Sequence, residues 1–571
     1  MIALEKSGVR LDGIQPLLDG TVPACWPASE IPGGIEWALE AGGAIRLAIG
    51  QDCDTVRLDV SASGLDEAPL SLGLRFGAVR GVRRYLRNGY HSWDGSFFAD
   101  PGTPAGDAPP GKEPTLGFAM TALVPTEAQG ALILGFDRHD RFQNRFRFGG
   151  DAAAMTIDVE TLLDRTGRVA AESLFVYADP DVETALIRWS DRVAAASPTP
   201  PRIPDKRIKG WCSWYNLYAA INEENIREHL TAAAHYRDTH GPDLDIFLID
   251  DGFTPEMGDW LDVKPQFPHG MQPLLGEIAG AGFTPGLWIA PFMVGNRSRL
   301  YVEHPDWVVR EKATGKPLIQ MAFYGEFRWH KRSEEYYVLD ITHPDAEAYI
   351  RRVFRTWAHE WGARYFKTDF MFFGAEYGPD RAVWHESGLS RVEIWRKMGA
   401  IIREEIGDAL WLGCGCPLWA SVGLVDAIRI GRDVGVKWSG DQSAESLLRD
   451  QATRNHAAGR LWQADPDCIL LRDRFHDLTD AQVESLALLA GLSGGVLMTS
   501  DHLGELTPER ATLFDALAAL DVVDCRYPSL GNGEALIVQR ATLADGRTLE
   551  LRLDPETGES RCTDSAGAVW P

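Results

Sequence analysis

Two short runs, WGARYFKTDF (361–370) and AIRIGRDVG (427–435), each carry a strand-like stretch to a carboxylate, Asp369 in the first and Asp433 in the second. A charge at the end of a buried strand costs folding energy, and enzymes keep such positions for chemistry. Two such acids in one chain are the material for glycoside hydrolysis, where one carboxylate attacks or activates water and the other donates a proton. Basic residues sit close to both. Lys367 lies two residues before Asp369, so on a strand both side chains face the same way, and an ammonium group there favours an ionised carboxylate. Arg429 lies four residues before Asp433 and shares its face if the strand runs straight through. Asp250 and Asp251 end a third apolar run, DIFLIDDGF, and reach one pocket together only if the chain turns after Asp250. Neighbouring acids of this kind accept strong hydrogen bonds from sugar hydroxyls. Each pair also has a plain reading as a rim ion pair or a loop cap, but recurrence at strand ends favours chemistry.

Something must hold these ends together. From about residue 208, buried-type strands alternate with helical segments such as NEENIREHLTAAAHYRDTH and HPDAEAYIRRVFRTWAHEWG. Eight strand candidates follow in order: 209–215, 245–253, 285–292, 364–370, 410–415, 427–433, 461–468 and 495–501. That alternation predicts a (β/α)8 barrel, whose active site lies at the C-terminal mouth of the strands. The residues expected at those ends are Trp214, Asp250, Asp251, Trp288, Lys367, Asp369, Cys414, Arg429, Asp433, Asp465 and Asp501. A ninth candidate, YYVLDI (336–341), belongs to a long excursion after the third strand.

The flanks read differently. Residues 1–196 hold short alternating segments (AIRLAIG, TVRLDVSAS, LSLGLRFGAV, NRFRFGG, AMTIDVETLL) broken by Gly, Asp and Pro, the pattern of a β-sandwich. The proline-rich stretch SPTPPRIPDKR makes 197–207 a linker, 208–507 the catalytic barrel, and 508–571 a small C-terminal β domain. The fold class expected is therefore multidomain α/β plus β.

Composition narrows the partners. With 571 residues, 45% hydrophobic and 24% charged, the chain has the make-up of a globular protein. A net charge of −25 argues against nucleic acid and anionic membranes and points to a neutral substrate. The 19 Trp residues supply flat faces and indole N–H groups suited to sugars, as well as core bulk. Eight scattered cysteines form no metal-like spacing, so neither a metal nor a cofactor is expected. The N-terminus has no apolar signal region and no run is long enough to span a bilayer, so a cytoplasmic protein with reduced thiols is expected.

Taken together, GWCSWY, IDDGF, GLWIAPF, FKTDF, LGCGCPLW, RIGRD and QADPDC resemble, in order, glycoside hydrolase family 36, the α-galactosidases of the melibiase clan. The resemblance covers about 205–505, and RNGYHSW (87–93) looks like that family's sandwich loop reaching into the barrel mouth. It implies a retaining α-galactosidase with Asp369 as nucleophile and Asp433 as acid/base. It further implies that Asp250, Asp251, Lys367 and Arg429 bind the sugar, that Trp288 stacks on it, and that Trp214 and Trp93 are further walls. The loop CGCPLW after the fifth strand, with Cys414, departs from the Gly-rich loop of the larger members and lies near the sugar 2-position. An α-N-acetylgalactosaminidase or a galactosyl transglycosidase on the same fold is therefore the alternative. A divalent metal held by Asp250, Asp251, Asp369 and Asp465, or a non-catalytic carbohydrate-binding protein, are readings from other classes.

Overall fold

A computed structural model describes residues 4–103, 114–151, 153, 155–322, 331–440 and 443–570. Its centre is a curled parallel sheet. The strands are β1 (Lys209–Cys212), β2 (Ile246–Ile249), β3 (Thr284–Ile289), β4 (Tyr365–Thr368), β5 (Leu410–Gly413), β6 (Ala427–Arg429), β7 and β8 (Leu497–Thr499). β7 comes in two pieces, Gln463–Asp465 and Cys468–Ile469. Neighbours pair in sequence order from β1 to the first piece of β7, and the second piece pairs with β8, which pairs with β1. The two edges of the sheet are thus consecutive stretches of chain, parted by Pro466 and Asp467. All eight strand candidates fall in this sheet.

Helices α1 (Glu223–His240), α2 (Met271–Gly280), α3 (Pro344–Arg355), α4 (Arg391–Ile406), α5 (Ala444–Arg454), α6 (Asp480–Leu492) and α7 (Pro508–Ala518) follow the strands. Their limits are written locally. Asn222 and Asn225 cap the start of α1 reciprocally, and Gly241 ends it in the left-handed region at φ 82°. Between β5 and β6 the alternation lapses, and only a 3-10 turn, Trp419–Ser421, connects them. The stretch from 508, expected to begin a β domain, instead starts with α7. It has a Thr507 cap and Pro508 in its first turn, and it packs on α1 where Tyr236 donates to the Asp515 carboxylate at 2.9 Å. The strands of the C-terminal region begin at Val522 and form a four-stranded antiparallel sheet through Asp564.

Residues before the barrel form two antiparallel sheets of six and nine strands that enclose a shared core, including Leu11, Leu47, Leu74, Phe146 and Ile157. The strand Thr55–Ser63 shows why: its alternating Val56, Leu58, Val60 and Ala62 are buried. A second apolar cluster runs without a break from this region through the barrel to the C-terminal sheet. The excursion after β3 carries the ninth candidate, Glu335–Val338, paired antiparallel with Met293–Gly295 and Ile319–Ala322.

The N-terminal sheets also reach the barrel mouth. The loop 87–94 leaves them and lies across it, where Leu418 N–H donates to Tyr90 O at 2.8 Å and Gly415 N–H to the Ser92 hydroxyl at 3.0 Å. The fully buried Arg454 guanidinium pins this loop, donating to the carbonyls of His91, Ser92 and Asp94 and to Ile430 just past β6. A buried guanidinium is held in place by such bonds, and they register the loop against the strand that leads to Asp433.

Candidate active site

Nine residues from five strand ends and the crossing loop line one slot: Trp93, Trp214, Asp250, Asp251, Trp288, Lys367, Asp369, Phe370 and Asp433. Eight of the ten residues expected from the sequence to act on or surround a sugar are among them. The other two, Arg429 and Cys414, stand directly behind. The slot is tight, about 20 Å³, so its walls meet a ligand closely.

Asp369 follows β4 and is held from three sides. Its N–H donates to Ile289 O at 2.8 Å, its Oδ1 accepts from Phe370 N–H at 2.7 Å, and its Oδ2 accepts from the Trp288 indole at 3.1 Å. Trp288 is thus a hydrogen-bond donor to the acid as well as a wall. Phe370 takes φ +50°, a strained turn for a residue with a side chain, and that turn aims the carboxylate into the slot. Burial raises the Asp369 pKa, Lys367 pulls it back, and the charge of Asp433 raises it further.

The ammonium of Lys367 reaches Asp250 instead, at 2.8 Å. Burial alone would lower the lysine, but Asp250, with Cys212, Cys414 and Asp369, holds it well above its usual range. Register places Lys367 opposite Trp288 on β3, so the two meet from adjacent strands. Asp251 turns into the same slot because β2 ends at Ile249 and Gly252 takes φ +130°. A Cβ at Gly252 would come within 2.9 Å of the Ala219 backbone, so only glycine permits that turn. Asp251 Oδ1 accepts from Gly252 N–H at 2.7 Å and faces the Lys331 ammonium at 3.2 Å. Its Oδ2 is buried, lines the slot and has no protein hydrogen-bond partner. That oxygen is positioned to accept from a ligand hydroxyl.

On the other side β6 ends at Arg429, so the strand does not run straight to Asp433. The chain turns, and Arg429 reaches Asp433 at 2.8 Å all the same. Asp433 is the most open acid of the slot, its side chain 51% exposed. Arg429 also donates to Asp467, and its Nη1 lies 3.8 Å from the Cys414 sulfur. The Cys414 thiol hydrogen-bonds Asp369, and burial next to that carboxylate keeps it protonated, its pKa well above the usual thiol range.

Phe370, Asp467 and Lys331 belong to the site without having been among the sequence candidates. Asp467 takes φ +80° after Pro466 and gathers the Arg429 guanidinium, the Tyr215 hydroxyl and, at 2.6 Å, the N–H of Val434. It therefore fixes the residue next to Asp433. Lys331 comes from the excursion after β3. Asp465, the expected strand end, instead accepts from Asp467 N–H at 2.8 Å beneath the mouth. Asp501 lies outside the slot, accepting from Leu471 N–H at 2.6 Å. Trp93 closes the mouth with its ring 4.9 Å from Phe370.

Residues 211–372 match the melibiase family. An α-galactosidase of Escherichia coli is 25% identical over 177 residues, 29% of this chain and 22% of that protein. Alpha-galactosidase C of Emericella nidulans is 24% identical over 220 residues, 35% of this chain and 26% of that protein. The matched stretches therefore span about a quarter of these curated relatives. The α-galactosidase TtGalA of Thermus thermophilus, solved with p-nitrophenyl α-D-galactopyranoside, is similar in fold: TM-score 0.67, 24% identity, 90% of this chain and 98% of that one. The family 36 α-galactosidase AgaA of Geobacillus stearothermophilus aligns at TM-score 0.59 and 13% identity over 96% of this chain and 79% of that one. Among the described residues no helix is long and apolar enough to cross a membrane.

Proposed function

We propose that this chain, which carries a melibiase domain over residues 211–372 and has the fold of the glycoside hydrolase family 36 α-galactosidases, hydrolyses terminal α-linked galactose with retention of configuration. The observation that carries the reading is the meeting of Asp369 and Asp433 in one slot with a buried, unpartnered carboxylate oxygen on Asp251. Asp369 attacks the anomeric carbon while Asp433 gives its proton to the departing glycosidic oxygen, so that the C–O bond breaks as the galactosyl–Asp369 ester forms. Asp433, now ionised, takes a proton from water; the water oxygen bonds the anomeric carbon and Asp369 is released.

The slot supplies what each step needs. The Trp288 indole and the Phe370 N–H hold Asp369 in a single orientation for attack. Three carboxylates, Asp250, Asp433 and Asp467, share the two cations Lys367 and Arg429, which fix their places around the slot. Asp250 and Asp251 read the hydroxyls that distinguish galactose. A site built to bond one hydroxyl rejects its epimer strongly, because the mismatch leaves a buried group unpaired.

The test is release of p-nitrophenol from p-nitrophenyl α-galactoside by the wild type and by Asp369→Ala, with and without azide. Wild-type turnover, loss in the variant and partial return with azide as a β-galactosyl azide are expected. Undiminished turnover by Asp369→Ala, or none by the wild type, refutes the proposal.

A further inference from the structure

Asp433 is the acid of the slot that the barrel itself holds least. β6 ends at Arg429, so the sheet's ladder of hydrogen bonds stops before Asp433, and its side chain is half exposed. Asp369, in contrast, is gripped at its own N–H and at both carboxylate oxygens. An acid delivers its proton efficiently only from a fixed position. Arg429 and Asp467 hold the segment of Asp433 from within the barrel. Further ties come from the crossing loop that carries Trp93.

Two arginines make those ties. Arg432, the residue before Asp433, donates its Nε to Trp93 O at 3.3 Å. Arg454, the last residue of α5, is 1% exposed and makes five hydrogen bonds. One goes to Ile430 O, and four go to the loop, at His91 O, Ser92 O, Asp94 O and the Ser96 hydroxyl. None of the five ends on a carboxylate. The acids whose charges act on Arg454, Asp450 and Asp94, are engaged elsewhere: Asp450 accepts from Ser96 N–H at 2.7 Å, and Asp94 pairs with Arg87 at 2.6 Å. A buried cation without a paired anion costs folding energy. This one bridges two stretches of backbone with a planar fork, a geometry that an ammonium group does not reproduce. The fit is close. A Cβ on Gly89 would collide with Asp94 O and with the Arg454 guanidinium, so the loop closes around that group only with glycine there.

We propose that Arg454 is a positioning residue for the acid step: it locks the loop 91–96 to the turn 430–433, so that Trp93 and Asp433 keep one spacing across the slot. The N-terminal sheets then do more than wall the mouth through Trp93. Through Arg454 and Arg432 they set the point from which the proton is delivered. The inference rests on the reading of Asp433 as acid/base and adds the device that holds it still. With the latch open, the proton reaches the glycosidic oxygen less well, and cleavage depends more on how readily the leaving group bears negative charge.

The experiment compares kcat/KM for phenyl and p-nitrophenyl α-galactoside in the wild type, Arg454→Lys, Arg432→Met and Asp433→Ala. The two substrates offer nearly the same ring, but phenolate departs poorly without a proton and p-nitrophenolate departs readily. The expected result is a fall of about fivefold in the phenyl-to-nitrophenyl ratio for Arg454→Lys, as partial loss of general acid catalysis predicts. A smaller fall in the same direction is expected for Arg432→Met. Arg432 is only partly buried, so its variant keeps the test decisive if Arg454→Lys does not fold. A ratio that falls in Asp433→Ala but stays unchanged in the arginine variants overturns the inference and leaves the acid reading intact. That pattern, with activity kept or lost equally on both substrates, belongs to a loop that only supports the fold. A ratio unchanged in Asp433→Ala as well refutes Asp433 as the acid and takes this inference with it.

Discussion

The slot and the large cavity among the loops after β7 and β8 are built on opposite principles. The slot is made of strand ends, its acids are gripped by backbone N–H groups and indole, and it is too tight to tolerate a change of shape. The cavity is made of loops and helix starts, and it is more than thirty times larger by volume, about 690 against about 20 Å³. Rigid strands define a geometry and loops adapt to varied company. The pairing therefore sets a fixed geometry at the strand ends against an adaptable surface among the loops.

The greatest loss is expected at the centre of the strict region. Asp369→Asn should lower kcat/KM by about 10⁴-fold or more, equally on aryl galactoside and on oligosaccharide, since a missing nucleophile is felt whatever the leaving group. A loss confined to one substrate would dissolve the distinction between the two regions. Next comes Asp251→Asn, which exchanges the unpartnered acceptor for an amide and removes the carboxylate charge that Lys331 faces. About 10²-fold in kcat/KM is expected for α-galactosides, with the gluco epimer losing less, because the hydroxyl that Asp251 reads is then bonded weakly in both. Equal loss on both epimers would show that Asp251 supports the fold of the slot and does not read the sugar.

Asp467→Asn tests how far the strict region extends below its surface. Asp467 does not line the slot; it holds Val434 and shares Arg429 with Asp433. Its loss should lower kcat about tenfold with little change in KM, since a misaligned acid is felt in the transition state. Leaving-group dependence separates this from general damage: substrates with good leaving groups, which need little protonation, should be spared.

Much of this is legible in the chain, and the exceptions have physical causes. All eight parallel strands are visible because each is a short apolar run bounded by turn residues, and the strand Thr55–Ser63 falls on the run TVRLDVSAS. The crossing loop at 87–93 is found through its resemblance to a family motif, which no periodicity would give. Asp465 draws attention ahead of Asp467 because the run 461–468 reads as one continuous strand. Pro466, which has no N–H to offer the sheet, breaks it, and the left-handed turn at Asp467 delivers the second acid to the mouth. The Thr507–Pro508 start signal of α7 is present in the sequence, but the β-like stretches after it outweigh it. Lys331 lies 80 residues from Asp251 in a loop, and no local pattern announces a partner brought in by tertiary folding. Trp288 can be named as a wall, but its indole hydrogen bond depends on the register of β3 against β4.

The smallest effect is a shift in pH and not a loss of rate, and it probes whether the two acids share one electrostatic space. In the proposed mechanism Asp369 must be ionised to attack, so its pKa sets the acidic limb of kcat/KM. Burial raises that pKa, and the negative charge of Asp433 raises it further. Asp433→Asn removes the second contribution and keeps the first. The Asp369 pKa then falls, the nucleophile stays ionised in more acid solution, and the acidic limb moves to lower pH. The measurement needs an aryl galactoside whose leaving group departs without a proton, since the variant has lost its acid. A limb that stays put or moves upward would mean that Asp433 does not act on Asp369 across the slot. The strict region would then consist of the β2, β3 and β4 ends alone, with Asp433 belonging to the adaptable side.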